Sequence, residues 1–194
     1  MNISADLLKL LAGFVLTTVG GGILTFWFQW LSWRRQARLE VLRQRYAEGL
    51  SFVSGLMKLI DRRLFRLQQV IWALEDDAPD ERLKNALSTY HEAVTEWNET
   101  LRSNHTYVQV LVGPQFGSSF LDFGDEDRGT PGSLHYRFVA AHNALLRARS
   151  DQAAVADASA VVAKLNIDAS NFCLMLATRF EEGAKQLFGL GRRS

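Results

Sequence analysis

The stretch Leu10–Trp33, LLAGFVLTTVGGGILTFWFQWLSW, holds no charged residue. At about 1.5 Å rise per residue, a helix over this run reaches roughly 36 Å, enough to cross a hydrocarbon core of about 30 Å. Leu10, Leu11, Phe14, Val15, Leu16, Val19, Ile23, Leu24, Phe26, Phe28 and Leu31 each favour insertion by roughly 0.3–0.6 kcal/mol, about 3–6 kcal/mol together before the Gly, Thr and Gln29 penalties. Trp27, Trp30 and Trp33 recur at one end and pass directly into Arg34, Arg35 and Arg38. An aromatic belt merging into a basic flank marks a membrane–water interface on the cytoplasmic side. The run therefore predicts a transmembrane helix over 10–33, preceded by a short N-terminal tail over 1–9.

The tail offers only Lys9 and the terminal amine as cations, against Asp6. The positive-inside rule then places the N-terminus outside and everything after Trp33 in the cytoplasm. The expected location is a cell membrane crossed once, with a bacterial inner membrane as the setting. A cleaved signal peptide fits less well, because the basic residues follow the apolar run and no A-x-A-like site closes it. A buried hairpin broken at Gly20, Gly21 and Gly22 is the other alternative, and membrane helices tolerate glycine better than soluble ones. Gly13, Thr17, Gly21 and Thr25 fall four apart, a small-residue face that would let a second membrane helix approach closely.

The chain is electrically bipolar. Residues 34–66 carry nine basic and three acidic groups, whereas residues 75–127 carry three basic and twelve acidic groups. Cys173 is the only cysteine, so no disulfide can close within one chain, and a reducing compartment fits. The glycosylation-type triplets at Asn2, Asn98 and Asn104 carry no weight in such a compartment.

Beyond the arginines, apolar residues keep a heptad-like rhythm at Leu39, Leu42, Tyr46, Gly49, Val53, Leu56 and Ile60, then Leu64, Leu67, Ile71 and Leu74. The step from Ile60 to Leu64 is four where three was due, which reads as a stutter. Without Pro between Arg34 and Glu75, the first helix is expected to continue to 75, with Gly49 and Gly55 as places for a bend. The acids of 75–80 stop it and suit the start of the next helix. A helix over 79–112 follows, with Leu83, Leu87, Tyr90, Val94, Trp97, Leu101, Val108 and Leu111 on one face. Gly113-Pro114 ends it, and 113–133 reads as an irregular loop. Its Phe116, Phe120, Leu121 and Phe123 form a candidate partner-binding loop, with contact to the membrane interface and burial of the phenylalanines on the bundle as the alternatives. Ser133–Glu182 lacks both Gly and Pro, which allows one long helix or two; Ser150-Asp151 and Asp168 each offer an N-cap, and a break, the favoured reading, gives helices over 134–150 and 152–188. A basic tail over 189–194 closes the chain. The fold class is all-α: one N-terminal transmembrane helix continuing into an antiparallel helical bundle of three to four long helices with coiled-coil-like packing, the soluble domain covering 34–188.

Catalytic chemistry finds little support. No histidine has Glu three positions before it, as a di-metal carboxylate bundle requires. His135 and His142, seven apart, could share a metal only with a third ligand. Glu92, Glu96 and Glu99 read as a solvated stripe. The loop Gly124–Thr130 has the outer spacing of a phosphate loop but lacks its lysine, and Asp125 and Asp127 begin a calcium-like loop whose remaining ligands are missing. The arginines after Trp33 face anionic lipid headgroups more directly than nucleic acid.

The sequence resembles only the broad architecture of bacterial membrane-anchored helical proteins. The expectation is a non-enzymatic interaction module without a cofactor or metal, whose partners are the lipid bilayer and either a second copy or a partner membrane or cytoplasmic protein, with no nucleic acid. The alternative is a small membrane effector, toxin-like, of a bacterial defence system, oligomerising through its transmembrane helix. An enzyme is the third class.

Overall fold

The computed structural model describes residues 3–76, 79–122 and 132–187. It contains five helices: α1 (Ile3–Glu75), α2 (Asp80–Val112), α3 (Pro114–Phe120), α4 (Leu134–Ser150) and α5 (Val155–Leu187), with a 3₁₀ turn at Gln152–Ala154 before α5. No strand occurs among the described residues. Phe123 and the basic tail over 189–194 lie outside them. The protein divides into two compact units, Met1–Ala47 and Glu48–Ser194.

The first unit is the N-terminal part of α1. From Ala12 to Ala47 its described side chains are exposed except for Leu31, Leu42 and Tyr46, which are half-buried. The packed part of the chain thus begins at Glu48 and not at Arg34. A lone helix has no neighbour to cover Leu39 or Val41, whatever its heptad spacing.

In the second unit α1 runs antiparallel to α2, α2 to α4, and α4 to α5. Paired positions establish each direction: Arg62 with Glu96 and Phe52 with Tyr107, Tyr90 with His142 and Trp97 with His135, and Arg137 with Asp168. Each helix turns a stripe of 3- and 4-residue spacing inward: Val53, Leu56, Ile60, Leu67 and Leu74 from α1, and Val155, Val162, Leu165, Ala169, Phe172 and Leu176 from α5. At about 1.5–3 kcal/mol per fully buried large apolar side chain, these stripes supply the main favourable contribution to folding.

Local chemistry explains the helix ends. Asp80 and Glu81 sit in the first turn of α2, where the helix dipole favours anions. Ser133 accepts from the Tyr136 N–H and caps α4, and Asp151 Oδ1 accepts from the Ala153 N–H where α4 gives way to the 3₁₀ turn. Gln152 Nε2 donates to the Leu74 carbonyl, tying this turn to the end of α1.

Two sequence expectations need correction. The segment 113–133 is not irregular throughout, because Pro114–Phe120 forms α3. Gly113 turns the chain at φ 118°, a conformation that favours glycine, and Pro114 then occupies the first helical position, where its missing N–H is no loss. At the step after Ile60 two neighbours turn inward: Leu64 is buried, and Arg63, three residues on from Ile60, is buried at 3 % exposure between the Ile60 and Leu67 layers. An arginine thus shares the core with the apolar stripe. Gly49 marks a close approach instead of a bend, since a Cβ there would stand 2.6 Å from the Phe180 ring.

Candidate functional site

In the first unit, the apolar run is exposed on every described side. Phe14, Ile23, Phe26 and Phe28 are each more than 60 % exposed, and none of the most apolar window of α1 is buried. Trp27, Trp30 and Trp33 are likewise exposed. The Arg34 guanidinium lies 3.9 Å from the Trp30 ring centroid, so the basic flank and the aromatic belt are one contiguous surface with Arg35 and Arg38 beside it. On the small-residue face, Thr17 Oγ1 donates to the Gly13 carbonyl and Thr25 Oγ1 to the Gly21 carbonyl. Both hydroxyls are thereby satisfied within the helix, and a Cβ at Gly13 or Gly21 would meet nothing within 4 Å. The stretch Gln152–Gln186 is also long and apolar enough to cross a membrane, but its inward stripe forms part of the bundle core.

The second unit holds a polar cluster around Arg63. Its guanidinium carbon lies 4.9 Å from the Trp97 ring centroid and 4.4 Å from that of Phe138, a desolvated cation between two aromatic faces. Tyr90 stands beside the guanidinium and favours its charged form, while Nε and Nη1 are buried with no hydrogen-bond partner. Burial lowers the Arg63 pKa and raises that of Tyr90, each shift partly opposed by the other group.

α2 and α4 are joined across this cluster. Tyr90 OH lies 3.1 Å from His142 Nδ1, and Trp97 Nε1 donates to His135 Nδ1 at 3.1 Å. The Trp97 and His135 rings are nearly parallel, 5° apart in plane. Burial holds both imidazoles below the ordinary histidine value, and the positive charge of Arg63 adds to the effect. Both histidines face a cation and each has its Nδ1 engaged, His135 as an acceptor from the indole, an arrangement unlike a metal-ligating pair.

The candidate partner-binding loop is largely internal. Phe120 and Leu121 are buried, with Phe120 stacked against Trp97 and Phe172, and Phe116 is half-buried against Phe172. Phe120 and Leu121 are therefore core residues and not a docking surface, because α3 folds its aromatics onto α2 and α5. Glu96 pairs with Arg62 on the surface. Burial raises the Cys173 thiol to about 11, with Asp61 adding to the shift, so it stays protonated and unreactive at neutral pH.

Sequence reasoning overlooked Arg63. The signal was present in the heptad count, which places a charged residue at an inward position and two aromatics, Trp97 and Phe138, on the facing stripes. Compared with known proteins, the chain matches no family model, no curated protein and no solved structure.

Proposed function

We propose that the chain is a membrane-anchored helical interaction module, its anchor over 10–33 crossing a bacterial inner membrane once with the N-terminus outside. The helical bundle then stands at the cytoplasmic face and works by helix–helix association, with itself or with a partner protein. The observation that carries this reading is a division of labour. The bundle from Glu48 onward buries a core of its own, while the described side chains from Phe14 to Phe28 remain exposed along an uncharged run ending in Trp30 stacked by Arg34. Such a surface is expensive in water and stable in lipid. Coiled-coil-like packing extends the same heptad logic to the outward positions Leu39 and Leu42, which a second copy could cover.

Membrane fractionation with carbonate extraction, followed by crosslinking in native membranes and mass spectrometry, tests the reading. The full chain should resist extraction, and deletion of 10–33 should release it. Recovery of the full chain in the soluble fraction would overturn the proposal. The unoccupied face of Gly13, Thr17, Gly21 and Thr25 favours a second reading, a membrane effector of a bacterial defence system that assembles through its anchor. That reading requires loss of membrane potential on triggered expression, with relief by Gly21→Leu. Unchanged potential under phage challenge would count against it.

A further inference from the structure

Tyr90 and Trp97 lie seven residues apart on α2, and His135 and His142 lie seven apart on α4. Because α2 and α4 are antiparallel, the four residues form two rungs, Tyr90–His142 and Trp97–His135. An indole N–H can only donate, so His135 Nδ1 must carry a lone pair. At the other rung the Tyr90 hydroxyl donates to His142 Nδ1 or accepts from it according to the tautomer. The indole donor thus holds His135 as the neutral Nε2–H tautomer. Protonation would put a hydrogen on His135 Nδ1 where a donor already stands, removing the Trp97 rung and adding positive charge beside a buried guanidinium, whereas the Tyr90 hydroxyl can turn to accept from a protonated His142.

We propose that the Trp97–His135 rung is an acid-sensitive latch: protonation of His135 loosens α4 from α2 beside Arg63, with the individual helices still formed. Both histidines are half-buried, so protons reach them without prior unfolding. Arg63 on α1 acts on both rings and His91 on α2 acts on His142, and all of these charges oppose protonation in the closed state. Among the described residues no carboxylate raises either imidazole. Glu96 of α2 is engaged by Arg62, and Asp168 of α5 by Arg137. The depressed pKa values fix the direction. The latch is fully closed above the unfolded histidine value of about 6.5, weakens as pH falls below it, and is lost once the folded-state values are passed.

The test uses the full chain in detergent micelles. Ring-nitrogen NMR at pH 8 should show unprotonated Nδ1 and protonated Nε2 at His135; an Nδ1–H tautomer there would overturn the proposal. Backbone exchange protection, corrected for intrinsic rates, should fall about fivefold or more in 134–150 between pH 8 and pH 5, as the hydrogen bond from Trp97 is lost. Protection in 53–74 should fall less. A uniform fall, or none, would also overturn it. In His135→Asn/His142→Asn, where an untitratable amide oxygen replaces Nδ1, the selective fall in α4 should vanish. If that variant does not fold, the wild-type tautomers and the exchange profile still decide.

Discussion

Replacing Arg63 by methionine should leave the protein as stable as before, or more so, although it deletes contacts to three side chains. The two cation–π contacts, at 4.9 and 4.4 Å, amount to about 2 kcal/mol each when desolvated. The favourable interaction of Tyr90 with the charged guanidinium adds about 1.5–3 kcal/mol. Against these roughly 5.5–7 kcal/mol stand two orphaned buried donors, at about 1–3 kcal/mol each, and a desolvation penalty of several kcal/mol for the charge. The opposing sums nearly cancel, so Arg63→Met is expected to lie between about 0 and 4 kcal/mol on the stabilising side. Arg63→Lys keeps the buried charge but loses the flat, weakly hydrated guanidinium that fits between two rings, and should destabilise by about 3 kcal/mol or more. Urea unfolding of the full chain in detergent, followed by near-ultraviolet circular dichroism, measures both variants. Methionine destabilising by more than about 2 kcal/mol while lysine is tolerated would refute the accounting, and would show that the charge itself holds the bundle together.

Other expectations follow from single contacts. Trp97→Phe removes the donor to His135 while keeping much of the ring packing, and should cost about 1–3 kcal/mol at pH 8, measured by the same urea titration. Its stability should also depend less on pH between 5 and 8 than that of the parent, since one rung is already gone. Gly49→Ala places a methyl against Phe180, 2.6 Å from the nearest ring carbon, and should destabilise by about 1–3 kcal/mol of overpacking. Gly55→Ala meets nothing within 4 Å and should stabilise α1 by about 0.5–1 kcal/mol; paired thermal melts compare the two glycines. Asp151→Ala deletes the cap on Ala153 N and should cost about 1 kcal/mol, visible as increased exchange at 152–156.

The helical character of the chain was legible because its signals are local and strong. Period-3.6 apolar spacing recurs from Val53 to Leu74 and from Val155 to Phe180, and strong breakers stand at Pro79 and Gly113. Pro114 was misread because proline both ends and begins helices, and only the left-handed Gly113 before it selects the second role. Arg63 is legible only in part: the 3–4 count along α1 puts it at an inward position, but the Tyr90, Trp97 and Phe138 that receive its charge are distant in sequence, and no local pattern brings them to it. The histidine pair was seen as a pair, but its chemistry depended on which atoms α2 would present to it. Phe120 and Leu121 looked exposed in a segment read as loop, and became core once α3 turned them inward.

Five tryptophans divide unevenly over this molecule: Trp27, Trp30, Trp33 and Trp72 are exposed, while Trp97 is wholly buried. A cation stands over both Trp30 and Trp97, but only Trp97 is shut away from water. Its excited state should therefore emit to the blue of the others and resist collisional quenchers in water. The three at the end of the apolar run should instead respond to brominated lipids at the depth where they lie. One chain thus carries separate optical reporters of its interior and of its boundary, read without attaching a label.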